Sequence, residues 1–170
     1  MSLRRVITLC TLLAALPAFA NAPLDGLLLG SSEAELQARF ESLVRMRKPV
    51  SGPNGLRGLW ALPDTPISGL PFQTTFYFKD KRVSRIEQRW TSSTDSCSDA
   101  SVFTAVVTDI GTRYGNGLIA HDGRDGDGMR QSVVWQSEAF DTMAYESQSA
   151  SECSILVIYK PHLVKDASEL

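Results

Sequence analysis

Phe72–Thr91, FQTTFYFKDKRVSRIEQRWT, alternates, turns once and alternates again. Phe72, Thr74, Phe76 and Phe78 share one side, and Gln73, Thr75, Tyr77 and Lys79 the other. Successive side chains of a strand point to opposite faces, so this spacing predicts a half-covered strand. Asp80-Lys81 supplies a tight turn. Val83–Thr91 returns with Ile86, Gln88 and Trp90 on one face and Arg85, Glu87 and Arg89 on the other. The segment reads as an antiparallel hairpin, aromatic inside and charged outside, from a sheet covered on one side only.

Towards the N-terminus, Ser32-Glu33-Ala34-Glu35 has the spacing of a capping box, in which Ser32 and Glu35 satisfy each other's backbone N–H. Leu36, Phe40, Leu43 and Val44 follow at helical spacing and Pro49 stops the run, which predicts a helix over Ser32–Arg47. Gly58–Leu62 reads as a short strand, and Pro63–Pro71 (PDTPISGLP) as a turn-rich link. Towards the C-terminus a second helix is expected over Ala100–Tyr114, capped by Ser98 or Asp99 and ended by Gly115 in the αL conformation. A loop, Asn116–Gly128, then leads to strands at Gln131–Gln136, Phe140–Glu146 and Cys153–Lys160. The last is apolar on both faces and reads as central. The tail His162–Leu170 has no period and is expected to fray. The fold class is therefore α+β. Two α-β-β-β units, residues 27–91 and 97–161, are expected to form one antiparallel sheet with the helices on one face.

Residues 1–20, MSLRRVITLCTLLAALPAFA, carry Arg4 and Arg5, an apolar run from Val6 to Leu16 and a small-x-small site at Ala18-Phe19-Ala20. That is the pattern of a cleaved signal peptide, and the run falls short of the ~20 apolar residues a bilayer requires. Cys10 sits too early in the run for a lipid anchor. The reading is a leader at 1–20 and a single exported domain at 21–170, periplasmic or secreted, monomeric and without a membrane anchor. Lys+Arg 17 against Asp+Glu 19 gives a net charge of −2, and loss of Arg4 and Arg5 makes it −4. An acidic balance excludes a general nucleic-acid binder, which needs a basic face. Cys97 and Cys153 remain in the exported part, and an even pair in an oxidising space reads as a disulfide.

Few residues suggest chemistry. Asp122, Asp125 and Asp127 lie among glycines between His121 and Gly128, a composition that can hold calcium. Aligned on an EF-hand, however, position 1 falls on Gly123 and position 12 on Val134, so the loop reads as a polar turn. His121 and His162 are the only histidines, and no nucleophile elbow, phosphate loop or dinucleotide fingerprint occurs. No catalytic residue and no cofactor is expected. Partner contacts are expected at Tyr77, Arg85, Arg89, Trp60 and Trp135, since aromatic and arginine side chains anchor interfaces. Tyr77 is expected to be exposed and Trp90 to lie in the core.

A leader followed by LLLGSSEAELQARF (residues 27–40) and by the aromatic hairpin resembles the small periplasmic α+β modules of the SmpA/OmlA type. Two such units in tandem resemble the β-lactamase inhibitor protein. The resemblance implies a non-catalytic protein that docks another protein on its sheet, although the anchor cysteine of the first family is missing. The functional expectation is thus an exported binding module of inhibitor or immunity type, directed at an envelope enzyme or a toxin. The alternatives are a periplasmic hydrolase or metal-binding protein using residues 121–127, and an envelope-assembly factor.

Overall fold

The computed structural model describes residues 24–93, 100–125, 128–149 and 151–162, of which 121–125 and 128–130 are described as backbone alone. After a 3-10 turn at Gly26–Leu28 comes helix α1 (Glu33–Arg39), then strands β1 (Val44–Ser51), β2 (Arg57–Ile67), β3 (Leu70–Lys79) and β4 (Arg82–Ser93). Helix α2 (Ser101–Tyr114) is followed by β5 (Leu118–Asp125), β6 (Gly128–Gln136), β7 (Phe140–Gln148) and β8 (Glu152–Pro161). The eight strands form one antiparallel sheet in the order β1-β2-β3-β4-β8-β7-β6-β5. Each helix thus precedes a four-stranded meander, and the last strand of each meander pairs with the other at the centre.

The expected hairpin is β3–β4. Asp80 and Lys81 both adopt positive φ, 49° and 63°, as the two-residue turns that match strand twist require. The capping box also forms: the Glu35 N–H donates to Ser32 Oγ at 3.3 Å, and the Ser32 N–H donates to Glu35 Oε2 at 2.6 Å. The Ser32 N–H, and next the Ser32 hydroxyl that donates to the same Oε2 at 2.8 Å, hold the Glu35 pKa below its usual value.

Four expectations about elements need correction. The first helix ends at Arg39, and Val44 onward is strand. Pairing with β2, where Arg45 lies opposite Trp60 with its guanidinium 5.8 Å from the ring, overrides a helical pattern that β-branched Val44 and Val50 support poorly. Phe40 and Leu43 still pack on the core. The Pro63–Pro71 link is mostly strand: β2 runs on to Ile67, and only Ser68-Gly69 turns, with φ of 50° and 79°. Its prolines fit because β1 pairs with β2 only over Arg57–Ala61, so residues 62–67 have one side without a ladder to break. The expected loop at 116–128 contains β5, paired with β6. Each half therefore holds four strands after its helix rather than three. Gly115 does end α2, but with φ 80° and ψ −161° it is not αL; that region too is open only to glycine.

Leu36 of α1 and Phe103, Val106 and Ile110 of α2 share one apolar cluster with Phe72, Phe76, Ile86, Ile155, Val157 and Tyr159. Those strand residues lie on one face by register, so both helices cover that face.

Candidate functional site

Two arrangements stand out, one on each face. On the covered face a cavity of ≈ 430 Å³ opens between β2, the chain just after α1 (Phe40 and Ser42) and the Asp109–Arg113 turn of α2. Leu24, Phe40, Leu62 and Ile67 form its apolar walls, and Asp64, Asp109 and Arg113 lie at its rim. A bulge in β2 between Leu62 and Thr65 shapes it, with Asp64 in the left-handed region at φ 53°. Bulges re-aim side chains next to sites, and a positive φ at a non-glycine residue is a local cost that the surrounding fold must hold.

Gln88 of β4 forms part of this lining and is only 2% exposed. Its Nε2 donates to Thr65 Oγ1 at 3.3 Å and to Thr74 Oγ1 at 3.4 Å. Thr65 Oγ1 spends its proton on the Phe72 carbonyl at 2.8 Å, and the two threonine hydroxyls lie 2.6 Å apart, so Thr74 donates to Thr65. In this arrangement both hydroxyls accept from the Gln88 NH2. Gln88 Oε1 is buried without a donor, a condition that costs about 1–3 kcal/mol. At the rim, Asp109 Oδ2 accepts the Ser68 N–H at 3.0 Å and lies 3.9 Å from Arg113 Nη2.

On the uncovered face, register lines up Thr75, Glu87, Ile158, Met143, Val134 and Leu118 across six strands. Arg89, Leu156, Tyr145 and Ser132 form the row beside it. The middle rows of the β5–β8 half of this face are therefore mainly apolar, ending at Leu118 on the sheet edge, which is 68% exposed, while Asp141, Ser147, Ser154 and Lys160 border them on the same face. The other half is polar and locked. Arg85 Nε donates to Glu87 Oε1 at 2.6 Å, and Tyr77 Oη donates to Glu87 Oε2 at 3.1 Å. Only 17% of the Arg85 side chain and 12% of the Glu87 side chain are exposed. Burial first, and Glu87 second, push the Tyr77 hydroxyl up to about 12.

The expected contact residues are thereby sorted. Tyr77 is not exposed as expected: it is 5% exposed, because the chain at Gly52 and Gly58 closes over its ring. A Cβ at Gly52 would lie 2.7 Å from Tyr77 Cδ1. Trp60 and Trp135 are core residues, and the Trp135 indole donates to the Gly115 carbonyl at 3.0 Å. Arg89 is exposed, whereas Arg85 is held in its ion pair. Trp90, expected in the core, is half-buried and borders a second hollow of ≈ 270 Å³ on the way from Pro63 and Asp64 to Arg89.

Cys153 is buried on the covered face, its Sγ 3.7 Å from the Ser93 carbonyl oxygen; Cys97 lies outside the described residues. Asp122 and Asp125 sit on the β5 backbone, but their side chains and the whole of Asp127 lie outside the described residues. Among the described residues no cluster of His, Cys, Asp and Glu could hold a metal ion. His162, expected to fray, is instead held: its Nδ1 lies 2.7 Å from Asp141 Oδ1. Among the described residues, no helix is long and apolar enough to cross a membrane. The chain matches no family model, no curated protein and no solved structure.

Sequence reading missed Gln88, Thr65, Thr74 and Asp64 as site residues. The signal for Gln88 was available, since it stands between Ile86 and Trp90 on the inward face of β4. Nothing in PDTPI marks the bulge at Asp64.

Proposed function

We propose that this chain is an exported, non-catalytic α+β module that binds a protein partner on the helix-free face of its sheet. The observation that carries the reading is the apolar row Met143–Val134–Leu118, half-buried at Met143 and Val134 and exposed at Leu118, flanked by Leu156 and Tyr145 on a face that neither helix covers. A contiguous apolar surface with a polar border is the usual composition of a docking site. The Arg85–Glu87–Tyr77 group beside it is already fixed by its own hydrogen bonds, which reduces the ordering cost of association.

Two further parts of the reading have their own support. Strand order is the same when read inwards from either edge, β1 to β4 and β5 to β8, which favours two tandem α-β-β-β-β units. A Cys97–Cys153 bridge is supported by the position of Cys153, whose sulfur lies 3.7 Å from the carbonyl oxygen of Ser93, a residue four positions before Cys97 in the sequence. Such a bridge needs an oxidising compartment, in keeping with the leader-like residues 1–20.

The test is a pull-down from envelope extract with the tagged protein, run beside Met143→Glu and Tyr145→Glu. A stoichiometric partner retained by the parent and lost by both variants supports the reading. A partner that both variants retain, or turnover of an envelope substrate with no partner, overturns it.

A further inference from the structure

We propose, resting on the docking reading above, that the partner on the helix-free face is an acidic protein segment. Arg89 selects it by taking an Asp or Glu carboxylate that stands beside a large apolar side chain.

Register puts Arg89 against the apolar patch. It pairs across the sheet with Leu156, and Leu156 pairs with Tyr145. Residues directly opposite on one face have Cβ atoms about 4.5–5.5 Å apart. Arg89 thus stands between half-buried Leu156 and exposed Gln73. The cations on either side of it are matched within the chain. Arg85 Nε donates to Glu87 Oε1 at 2.6 Å, and Glu87 Oε2 accepts from Tyr77 Oη at 3.1 Å. Lys160 Nζ lies 4.0 Å from Asp141 Oδ2, and His162 Nδ1 lies 2.7 Å from Asp141 Oδ1. Arg89 is exposed and forms no ion pair among the described residues. Asp64 borders the same ≈ 270 Å³ hollow as Arg89 and Gln73 without closing one. The apolar patch is therefore bordered by one uncompensated positive charge.

That pattern narrows the occupant. A guanidinium matches a carboxylate through two parallel N–H···O bonds, while apolar side chains of the partner cover Leu156, Met143 and Tyr145. A basic segment would set like charge against Arg89, and a neutral one would cover the guanidinium without a counter-charge; both are penalised. A nucleic acid or an anionic lipid surface is a repeating anion that calls for several cations together. Arg89 stands alone beside the patch.

The test is a selection of displayed random dodecapeptides on the full parent chain. The parent should select peptides in which Asp or Glu neighbours Trp, Phe, Leu or Met. The dominant peptide is then synthesised with blocked ends and titrated by calorimetry. Arg89→Glu should weaken it about tenfold. Changing the acid of the peptide to Lys should restore affinity for Arg89→Glu and lower it for the parent. Met143→Glu should weaken both peptides. Should circular dichroism show Arg89→Glu unfolded, Arg89→Gln replaces it, with a loss of about threefold expected. No selected peptide, a selected pool without acids, or an acidic peptide that Arg89→Glu binds like the parent overturns the proposal. So does binding of the parent to phosphatidylglycerol vesicles that Arg89→Glu abolishes, which would assign the charge to a membrane. If Arg89→Glu changes nothing while Met143→Glu abolishes binding, the docking face stands and its acidic partner is refuted. If Met143→Glu changes nothing either, the docking reading itself is refuted.

Discussion

The two faces of the sheet break the simple rule of apolar inside and polar outside in opposite ways. The covered face is dry, yet Gln88, Thr74, Thr142 and Glu146 are buried on it among Phe76, Val157 and Ala144. The uncovered face borders solvent, yet half-buried Leu156, Met143 and Tyr145 form a patch on it around buried Ile158. Polar groups that are buried and apolar groups that are contiguous in the open are the informative exceptions. Each face carries one set, and of the buried polar set Gln88 lines the cavity. Departures from local consistency gather where a protein does something beyond folding.

The contrast can be broken by substitution. Phe76→Ala removes a fully buried ring from beneath Phe40 and should cost about 3–5 kcal/mol in urea unfolding. Cys153→Ser should cost about 2–4 kcal/mol in non-reducing buffer and almost nothing further once the parent is reduced. If the parent shows two free thiols after unfolding without reductant, the bridge is absent. Arg85→Ala leaves Glu87 with Tyr77 alone and should cost about 1–2 kcal/mol, between the limits for exposed and buried pairs.

Glu146 sharpens the comparison through pH. Burial pushes its carboxyl above the ordinary 4.5, so the folded chain holds this proton to a higher pH than the unfolded chain does. Its contribution to stability is full below about pH 4.5 and is lost as the pH rises through the raised value. Glu146→Gln should therefore melt higher than the parent at pH 8 and lose that slope; a variant that melts lower at pH 8 contradicts the burial argument. The smallest effect belongs to Arg89→Glu on the uncovered face, within about 0.5 kcal/mol in thermal unfolding.

The elements that sequence reading found are those whose own composition carries the pattern. β3 and β4 alternate, and Ser32 and Glu35 form their box within one turn of chain. The missed elements, β1 and β5, are the two rims of the sheet. A rim strand is wetted along one side and its composition is free to be polar. VRMRKPVS therefore reads as the end of a helix, and LIAHDGRD as a loop. The charges and Pro49 of β1 are also what keeps a rim from pairing with another chain. The misplaced aromatics have a different cause. Which side of a hairpin receives cover depends on partners far along the chain: Tyr77 is buried by glycines at 52 and 58, and Trp135 is held by the carbonyl of Gly115. The cavity was less legible still, because it needs the bulge at Asp64 and α2 brought against β2.

The seam between β4 and β8 has a consequence for assembly. Ser93 of β4 pairs with Glu152, and Ile86 with Tyr159, so the middle of the finished sheet closes only when the last described strand is available. Until then a chain emerging from the ribosome N-terminus first carries β4 as a bare border, with Ile86 and Trp90 beside it. Its hazard of sticking to a sister chain is thus greatest at a place that the mature molecule hides completely, and it ends when β8 docks.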